Sequence, residues 1–428
     1  MARNRFLVGL IFLVFFVISL LTNILGPIVP DIINTFSASL GAAGFLVFAF
    51  FIAYGVMSIP AGFLVERYSE KPVMISAFVA ATLGSISFAL HPTYKVAFVS
   101  LFVIGIGMAM LQVAINPLLR VSGGEEFFAL NETIAQLIFG SASFLSPWIY
   151  SYLVVNLPAV DLSGRAQPAN PLLRILRHVT PPHLPWVSLY WIFAAVALTM
   201  VVVLSVSRFP AVQHTAEEQP GTLAMYKSLM RRRLVWLYFL AIFAYVGCEQ
   251  GTANWISQFL SHYHGYDPHT TGARAVSWFW GLMTAGCFAG AFLLRIFDSR
   301  RVLIGAATCA LITLSLGLFA PAWVSVVALP LVGLFASVMW PILISLALNS
   351  VAEHHGSFTG ILATGIMGGA IVTVVIGRIG DHLGLRTAMA LLYLTFGYIW
   401  SVGFWSKPLI NNATIGTKGT GAPSKAKA

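Results

Sequence analysis

The chain carries very little charge. Only 9% of its 428 residues are Asp, Glu, Lys or Arg, and 58% are apolar. A soluble domain has about 25% charged residues, so too few remain here to cover a water-facing surface. Runs of roughly 20 apolar residues recur along the whole length, which is typical of a protein that crosses a bilayer many times. The composition excludes a soluble protein and predicts an all-α membrane protein.

Cysteine and acidic residues are also scarce. The three cysteines (Cys248, Cys287 and Cys309) all fall within apolar runs, and their spacing matches neither a disulfide framework nor a metal site. The excess of ten positive charges lies in short loops and at the termini, where Lys and Arg set orientation and meet anionic lipid heads. We therefore expect a lipid bilayer around a monomer, with no nucleic-acid partner, metal or cofactor.

Twelve apolar runs are long enough to span a bilayer, and an even number places both termini on one side. The predicted spans are residues 6–29, 40–65, 72–91, 95–119, 127–155, 186–206, 233–260, 274–297, 302–320, 323–349, 358–379 and 385–405.

The longest central break separates six spans from six. With the N-terminus inside, 17 of the 24 Lys and Arg residues lie on the inner side and 7 on the outer side, in keeping with the positive-inside rule. This orientation predicts cytoplasmic termini and an inner (plasma) membrane location. The predicted organisation is a six-helix bundle over 1–206, a cytoplasmic linker over 207–232, a second six-helix bundle over 233–406 and a disordered cytoplasmic tail over 407–428.

Two loops suggest an internal duplication. The loop after the second span reads Gly62-Phe-Leu-Val-Glu66-Arg67-Tyr-Ser-Glu-Lys71, and residues 290–301 repeat a Gly followed by charges of both signs after the eighth span. Gly permits close helix approach, and the charges can pair with neighbouring helix ends to latch an inner gate. The alternative is a charged turn that only fixes topology. The predicted gate residues are Gly62, Glu66, Arg67, Lys71 and Arg295.

Polar side chains inside the spans are the candidate site. Glu249 is the one acidic residue placed near the middle of a run, where a carboxylate is costly unless it faces a polar cavity or binds a proton. Gln250 and Asn254 are four residues apart and share a helical face, while Gly247 and Gly251 are compatible with a local break. The remaining candidates, Asn23, Gln112, Asn116, Gln136, Trp280 and Trp340, offer amides or flat indole faces that suit a polyhydroxyl solute.

Each candidate also has a structural alternative. Asn116 and Gln136 can be interhelical hydrogen-bond partners, and Glu249 can be a structural carboxylate bonded to a neighbouring span. Six plus six spans predicts two bundles with the solute site between them near mid-membrane.

Several stretches resemble the fucose–proton symporter family of the major facilitator superfamily, which includes glucose/galactose porters. Gln112-Val-Ala-Ile-Asn116-Pro resembles the family's E-x-A-x-N-P, and Tyr245-Val-Gly-Cys-Glu249 resembles Y-V-G-x-E/Q. Residues 130–131, 339–346 and 365–373 resemble the family in the same order and span positions. The resemblance implies the major facilitator fold and alternating access for a monosaccharide.

Two departures from the family pattern bear on coupling. Where the family symporters have an Asp in span 1 and a Glu in span 4, this chain has Asn23 and Gln112. An amide keeps the hydrogen-bonding capacity but cannot hold and release a proton. A facilitative uniporter for a hexose such as glucose, galactose or fucose is therefore favoured, and proton symport through Glu249 is the alternative.

Two other classes of protein fit the sequence less well. Proton-coupled efflux of a hydrophobic compound or lipid by the same fold would require a broad apolar cavity with few amides. A sensor should add a soluble domain, and an enzyme should cluster His, Ser or acidic residues at one membrane face. Neither pattern is present, and the chain is not expected to be an enzyme.

Overall fold

A computed structural model describes residues 5–123, 128–158, 170–209, 223–351 and 355–408. Within these residues, twelve helical stretches are long and apolar enough to cross a membrane. The all-α fold class and the twelve predicted spans are confirmed. Most of the predicted linker (210–222) and of the predicted tail (409–428) lies outside the described residues.

The N-terminal half contains six spans, the first of which is built from two helices. These spans are α1 (Arg5–Thr22) with α2 (Leu25–Phe36), α3 (Leu40–Tyr68), α4 (Glu70–Leu90), α5 (Tyr94–Gly123), α6 (Phe128–Asn156) and, after the short helix α7 (Pro171–Val179), α8 (Ser188–Val206). The short helix α9 (Leu223–Met230) precedes the second half.

The C-terminal half repeats the count of six, with four of its spans built from two helices. They are α10 (Arg233–Ala253) with α11 (Ile256–His264), α12 (Ala273–Ile296), α13 (Ser299–Phe319), α14 (Ala322–Ala336) with α15 (Met339–Leu348), α16 (His355–Thr364) with α17 (Gly368–Leu383), and α18 (Leu385–Met389) with α19 (Leu392–Trp405).

Two of the breaks within spans follow from proline. A proline has no N–H and its ring clashes with the carbonyl four residues earlier, so a helix is interrupted there. Pro27 leaves the carbonyl of Asn23, between α1 and α2, without its helical N–H donor. Pro341 does the same to the carbonyl of Ser337, between α14 and α15. Asn254 lies at the break between α10 and α11, so the first span of each half is broken at an asparagine.

The two halves pack tightly at one end of the molecule, where α3 begins and α17 ends; we call this the closed end. A Cβ added at Gly377 would lie 2.5 Å from the carbonyl oxygen of Leu40, and one at Gly44 would lie 3.0 Å from Cα of Val374. Gly55, near the middle of α3, meets α17 and its preceding turn only through the side chain of Met367. Away from the closed end, side chains rather than backbone atoms therefore make the contact.

The second contact between the halves is that of α6 against α12. The Ser277 hydroxyl donates to the carbonyl of Phe144 at 2.5 Å, and Thr284 packs on Gly140. The residues that follow Thr284 on the same face of α12 are exposed, and they include Phe288 and Arg295. We call this end, where α3 and α12 terminate, the open end, because the space between the halves opens there.

Candidate functional site

Helix α10 brings Glu249 to the space between the halves. The helix is continuous to Ala253, so the break considered near Gly247 and Gly251 is not there; these glycines let α10 pack closely on neighbouring helices, with Gly247 against Val372 of α17. Glu249 therefore lies about 100° from Gln250 around the helix, as on an ideal helix. The two side chains face different surroundings.

Glu249 lies one helical turn before Ala253, at which the halves touch. A Cβ at Gly26 of α2 would collide with the carbonyl of Ala253. Residues four apart share a helical face, so Glu249 is placed directly below this contact, on the side of the open end. Its side chain is half-buried, and its carboxylate has no hydrogen-bond or ion-pair partner among the described residues. We call the space that it borders the central cavity.

Aromatic and polar groups from three spans surround this carboxylate. Tyr245, one turn further along α10, packs its ring against Trp340 of α15 with centroids 5.8 Å apart. Tyr245 and Cys287 both lie near Glu249, and Cys287 on α12 is exposed. A carboxylate, a phenol and an indole face thus lie together, which provides a hydrogen-bond acceptor beside a flat apolar surface.

The N-terminal candidates occupy different positions. Asn23 is buried, and its amide donates to the hydroxyls of Ser143 (2.8 Å) and Ser19 (3.5 Å), which joins the break in the first span to α6. Gln112 is half-buried on α5. Gln136 on α6 is exposed and donates to Glu132 at 3.0 Å, within its own helix. Asn116 belongs to α5, but its side chain lies outside the described part of the chain.

The remaining C-terminal candidates are buried. Asn254 donates to the side-chain oxygen of Gln250 at 3.3 Å, which confirms that they share a helical face. That face packs on α17, where a Cβ at Gly369 would lie 2.9 Å from Cγ of Gln250. Trp280 is 4% exposed, and its indole N–H has no hydrogen-bond partner among the described residues. Their assignment to solute binding stays a prediction.

The predicted gate residues lie at the open end and do not join the halves in this conformation. Glu66, Arg67 and Arg295 are exposed, with the Arg67 guanidinium over the ring of Tyr68. Lys71 instead donates to two carbonyls at the C-terminus of α8, those of Ser205 (2.9 Å) and Ser207 (2.8 Å). A cation there stabilises the helix end within the N-terminal half. A Cβ at Gly290 would press on Val338, within the C-terminal half.

The loop after α12 carries its own ion pair. Asp298 accepts from the backbone N–H (2.9 Å) and from Nε (3.1 Å) of Arg300 at the start of α13. Partial burial opposes ionisation of Asp298, but these hydrogen bonds outweigh it and hold its pKa below the ordinary range. The pair is a helix cap within one half rather than a bridge between halves.

One polar network was missing from the sequence-based candidates. At the closed end, Nε2–H of His269 donates to Oδ1 of Asp31 at 2.9 Å, and the hydroxyl of Tyr150 donates to Oδ2 of the same carboxylate. His269 stands just before α12, so the network joins the two halves. The sequence signal was a lone Asp beside Pro30 near the end of the first span, with no indication of its partner.

No group of three or more His, Cys, Asp or Glu side chains in the described ranges is arranged to hold a metal ion. The two halves close on each other at one end and part at the other, an arrangement typical of a membrane transporter.

The comparison with protein families agrees. The profile described as Major Facilitator Superfamily matches residues 11–373. The chain belongs to the major facilitator superfamily.

Two individual relatives indicate to which family within that superfamily the chain is related. The chain is 27% identical over 400 residues to the glucose/galactose transporter of Brucella abortus biovar 1 (strain 9-941), with 90% of each chain covered. It is 28% identical over 403 residues to the L-fucose-proton symporter of Escherichia coli (strain K12), again with 90% of each covered. The predicted relation to the fucose–proton symporter and glucose/galactose transporter family is confirmed.

Solved structures share the fold. The crystal structure of a bacterial homologue of the human lysosomal transporter Spinster, inward-facing and occupied, has a TM-score of 0.77 at 13% identity, covering 95% of this chain and 97% of that one. The crystal structure of a single-residue variant of the Escherichia coli fucose:proton symporter has a TM-score of 0.66 at 24% identity, covering 94% of this chain and 99% of that one.

Proposed function

We propose that this protein moves a monosaccharide of the hexose class across the membrane by alternating access. The observation that carries the proposal is the pair of relatives, named for glucose/galactose and for L-fucose, that match over nine-tenths of the chain. The central cavity supports it: the carboxylate of Glu249 is an acceptor for sugar hydroxyls, and Trp340 offers a flat face to the C–H side of a sugar ring.

Uniport is favoured over proton symport. Asn23 stands where the family symporters have an Asp, and its neutral amide donates to Ser19 and Ser143. An amide cannot hold and release a proton as the Asp would. Proton coupling remains the second candidate because Glu249 is a titratable group that reaches the cavity without a protein partner among the described residues. With the termini in the cytoplasm, as the distribution of Lys and Arg favours, the open end faces inward.

The test is uptake of radiolabelled glucose, galactose and fucose into liposomes that contain the purified protein, with and without an imposed pH gradient. We expect one or more of these sugars to equilibrate, with no accumulation beyond the external concentration. Accumulation driven by the gradient would contradict uniport. Absence of uptake for the whole panel of sugars would contradict the assignment of the solute class.

The variant Glu249→Gln separates the two roles of this carboxylate. As a sugar contact, its loss should raise KM about 10-fold or more at either pH, because a charge-assisted hydrogen bond contributes about 1.5–3 kcal/mol. A lost gradient response with intact equilibration would instead identify a proton carrier. Glu218→Gln is the matched control, since it makes the same chemical change in the predicted linker, outside the spans and the gate residues.

A further inference from the structure

The Asp31–His269 bridge differs from the other polar contacts between the halves because one of its partners titrates near neutral pH. Asp31 belongs to α2 in the N-terminal half, and His269 to the turn before α12 in the C-terminal half, 238 residues away. The side chain of Asp31 is 12% exposed and that of His269 is 33% exposed. The pair is therefore sheltered by protein yet in reach of water.

The imidazole ring stands between two carboxylates. Asp31 accepts from Nε2, and Oδ1 of Asp267 lies 3.7 Å from Nδ1 on the other side of the ring. Asp267 is held in place because it also accepts from the backbone N–H of His269 (3.0 Å) and from the hydroxyl of Thr270 (2.8 Å). A ring with a carboxylate at each nitrogen is stabilised as the imidazolium, which can donate from both nitrogens.

The surroundings of the ring contribute few other charges. The turn that carries His269 packs against α2, α6, α11 and α12. Helix α11 contacts this turn through Ser257. The guanidinium of Arg274, in α12, lies over the ring of Trp148, 5.4 Å from its centroid. The titratable and charged groups of the described neighbourhood include Asp31, Asp267, Tyr150 and Arg274 and, lining the adjoining cavity, Tyr94 and His183.

Water reaches the pair from the closed end. A cavity of about 670 Å³ is lined by both members of the bridge, together with other polar residues at that end such as Asn34, Thr93 and His183. Protons on that side of the membrane can therefore exchange with His269 while the halves are closed. The central cavity, with Glu249, opens at the opposite end.

We propose that His269 and Asp31 form a proton-binding site that locks the closed end and makes the balance between the two conformations depend on pH. The bridge joins the halves only while this end is closed, since α2 and α12 belong to different bundles. A proton on His269 strengthens the bridge, so by linkage it favours the state in which the bridge exists. The inference rests on the proposed function in one respect, the existence of two alternating states.

The sign of the effect follows from the two charges. A histidine side chain changes its charge between about pH 5 and pH 8. Acidification in this window makes the bridge an ion pair and favours closure of this end. Alkalinisation leaves a neutral hydrogen bond and favours opening.

The test measures the conformation directly and needs no sugar. Cysteines introduced by His91→Cys, in a loop, and Trp323→Cys, at the start of α14, lie at the closed end of the two halves. They would carry spin labels in a variant whose three native cysteines are replaced by alanine. The full-length protein in lipid nanodiscs would be examined by pulsed electron paramagnetic resonance at about pH 5.5 and about pH 8. We expect the ratio of short to long distances to be at least about fivefold higher at the lower pH.

Three substitutions make the result specific. His269→Gln should give the longer distance and remove the pH dependence, and His269→Lys, which keeps a cation opposite Asp31, should give the short distance at both pH values. His262→Gln, at an exposed histidine of α11 near the same face, should behave like the parent. A parent without pH dependence, or His269→Gln with undiminished pH dependence, would overturn the proposal.

The outcome is separable from that of the sugar assay. A pH-dependent distance with no uptake of any hexose would support the proton site and contradict the assigned solute. Uptake of a hexose with a pH-independent distance would support the assigned solute and contradict the proton site.

Discussion

The closed end and the open end of this transporter are built from different kinds of residue. At the closed end, glycines bring α3 and α17 into backbone contact, and polar groups cross between the halves: Asp31 with His269, and the carboxylate of Asp381, which accepts from the backbone N–H of Gly41 at 3.0 Å. At the open end, charged residues such as Glu66 and Arg295 are exposed and apart.

The difference shows that the two gates of the protein depend on different kinds of contact. The closed end is held by short-range contacts that require an accurate fit, because a helix pair in backbone contact tolerates no added volume. The open end carries exposed, long charged side chains, which suit a latch that forms only when the helices approach. The two gates share no residues, so a substitution can alter one gate and leave the other intact.

The largest effect is expected from a wedge at the closed end. Gly377→Leu would place a side chain against the backbone of Leu40, and such overpacking costs about 1–3 kcal/mol. The substitution should move the population towards the conformation that is open at this end, seen as a longer distance between spin labels at positions 91 and 323.

Gly397→Leu is the control for this wedge. It makes the same change in a span of the same half, where a Cβ would meet no atom within 4 Å. It should leave the distance unaltered. An equal shift in both variants, or in neither, would show that the close approach of α3 and α17 does not set the balance.

A smaller effect is expected from Tyr150→Phe. This removes the hydroxyl that donates to Asp31 but retains the ring and the partner His269. Loss of one hydrogen bond should weaken closure by about 0.5–1.5 kcal/mol. The same spin-label distance measures it, and Tyr152→Phe, on the same helix, is the control. A shift as large as that of Gly377→Leu would mean that the polar network, not the packing, dominates closure.

The smallest effect on the present conformation is expected at the open end. Glu66→Ala and Arg67→Ala change exposed side chains, so the stability of this state should change by no more than about 0.5 kcal/mol. If these residues latch the opposite state, however, net sugar uptake should slow, because that state is less populated. Thermal unfolding and initial uptake rates measure the two effects. Unfolding more than a few degrees lower would contradict a role confined to the other state.

Hydropathy was sufficient for the spans. Each span carries its own signal, and Pro27 and Pro341 mark two of the breaks by local sterics. The cost of a carboxylate in an apolar run also distinguishes Glu249 in the sequence, and its role at a solute site stays a prediction.

Contacts between distant residues could not be predicted in this way. His269 stands in a polar loop, where a histidine needs no explanation, and its partner is 238 residues away. Nor does a helical period say which face meets the cavity: Gln250 and Asn254 share a face, as predicted, but that face packs on α17. Only the packing of α10 on α17 distinguishes the face of Gln250 from that of Glu249.

The central claim is that the two ends open in turn around the cavity that holds Glu249. It is tested most directly by measuring both ends of one protein while a transported hexose is added. Spin labels at positions 91 and 323 report the closed end, and labels at Tyr68 and Arg301, exposed at the open end, report the other. The account predicts that the first distance lengthens in the same fraction of molecules in which the second shortens. Distances that change at one end alone, or at both ends in the same direction, would contradict it.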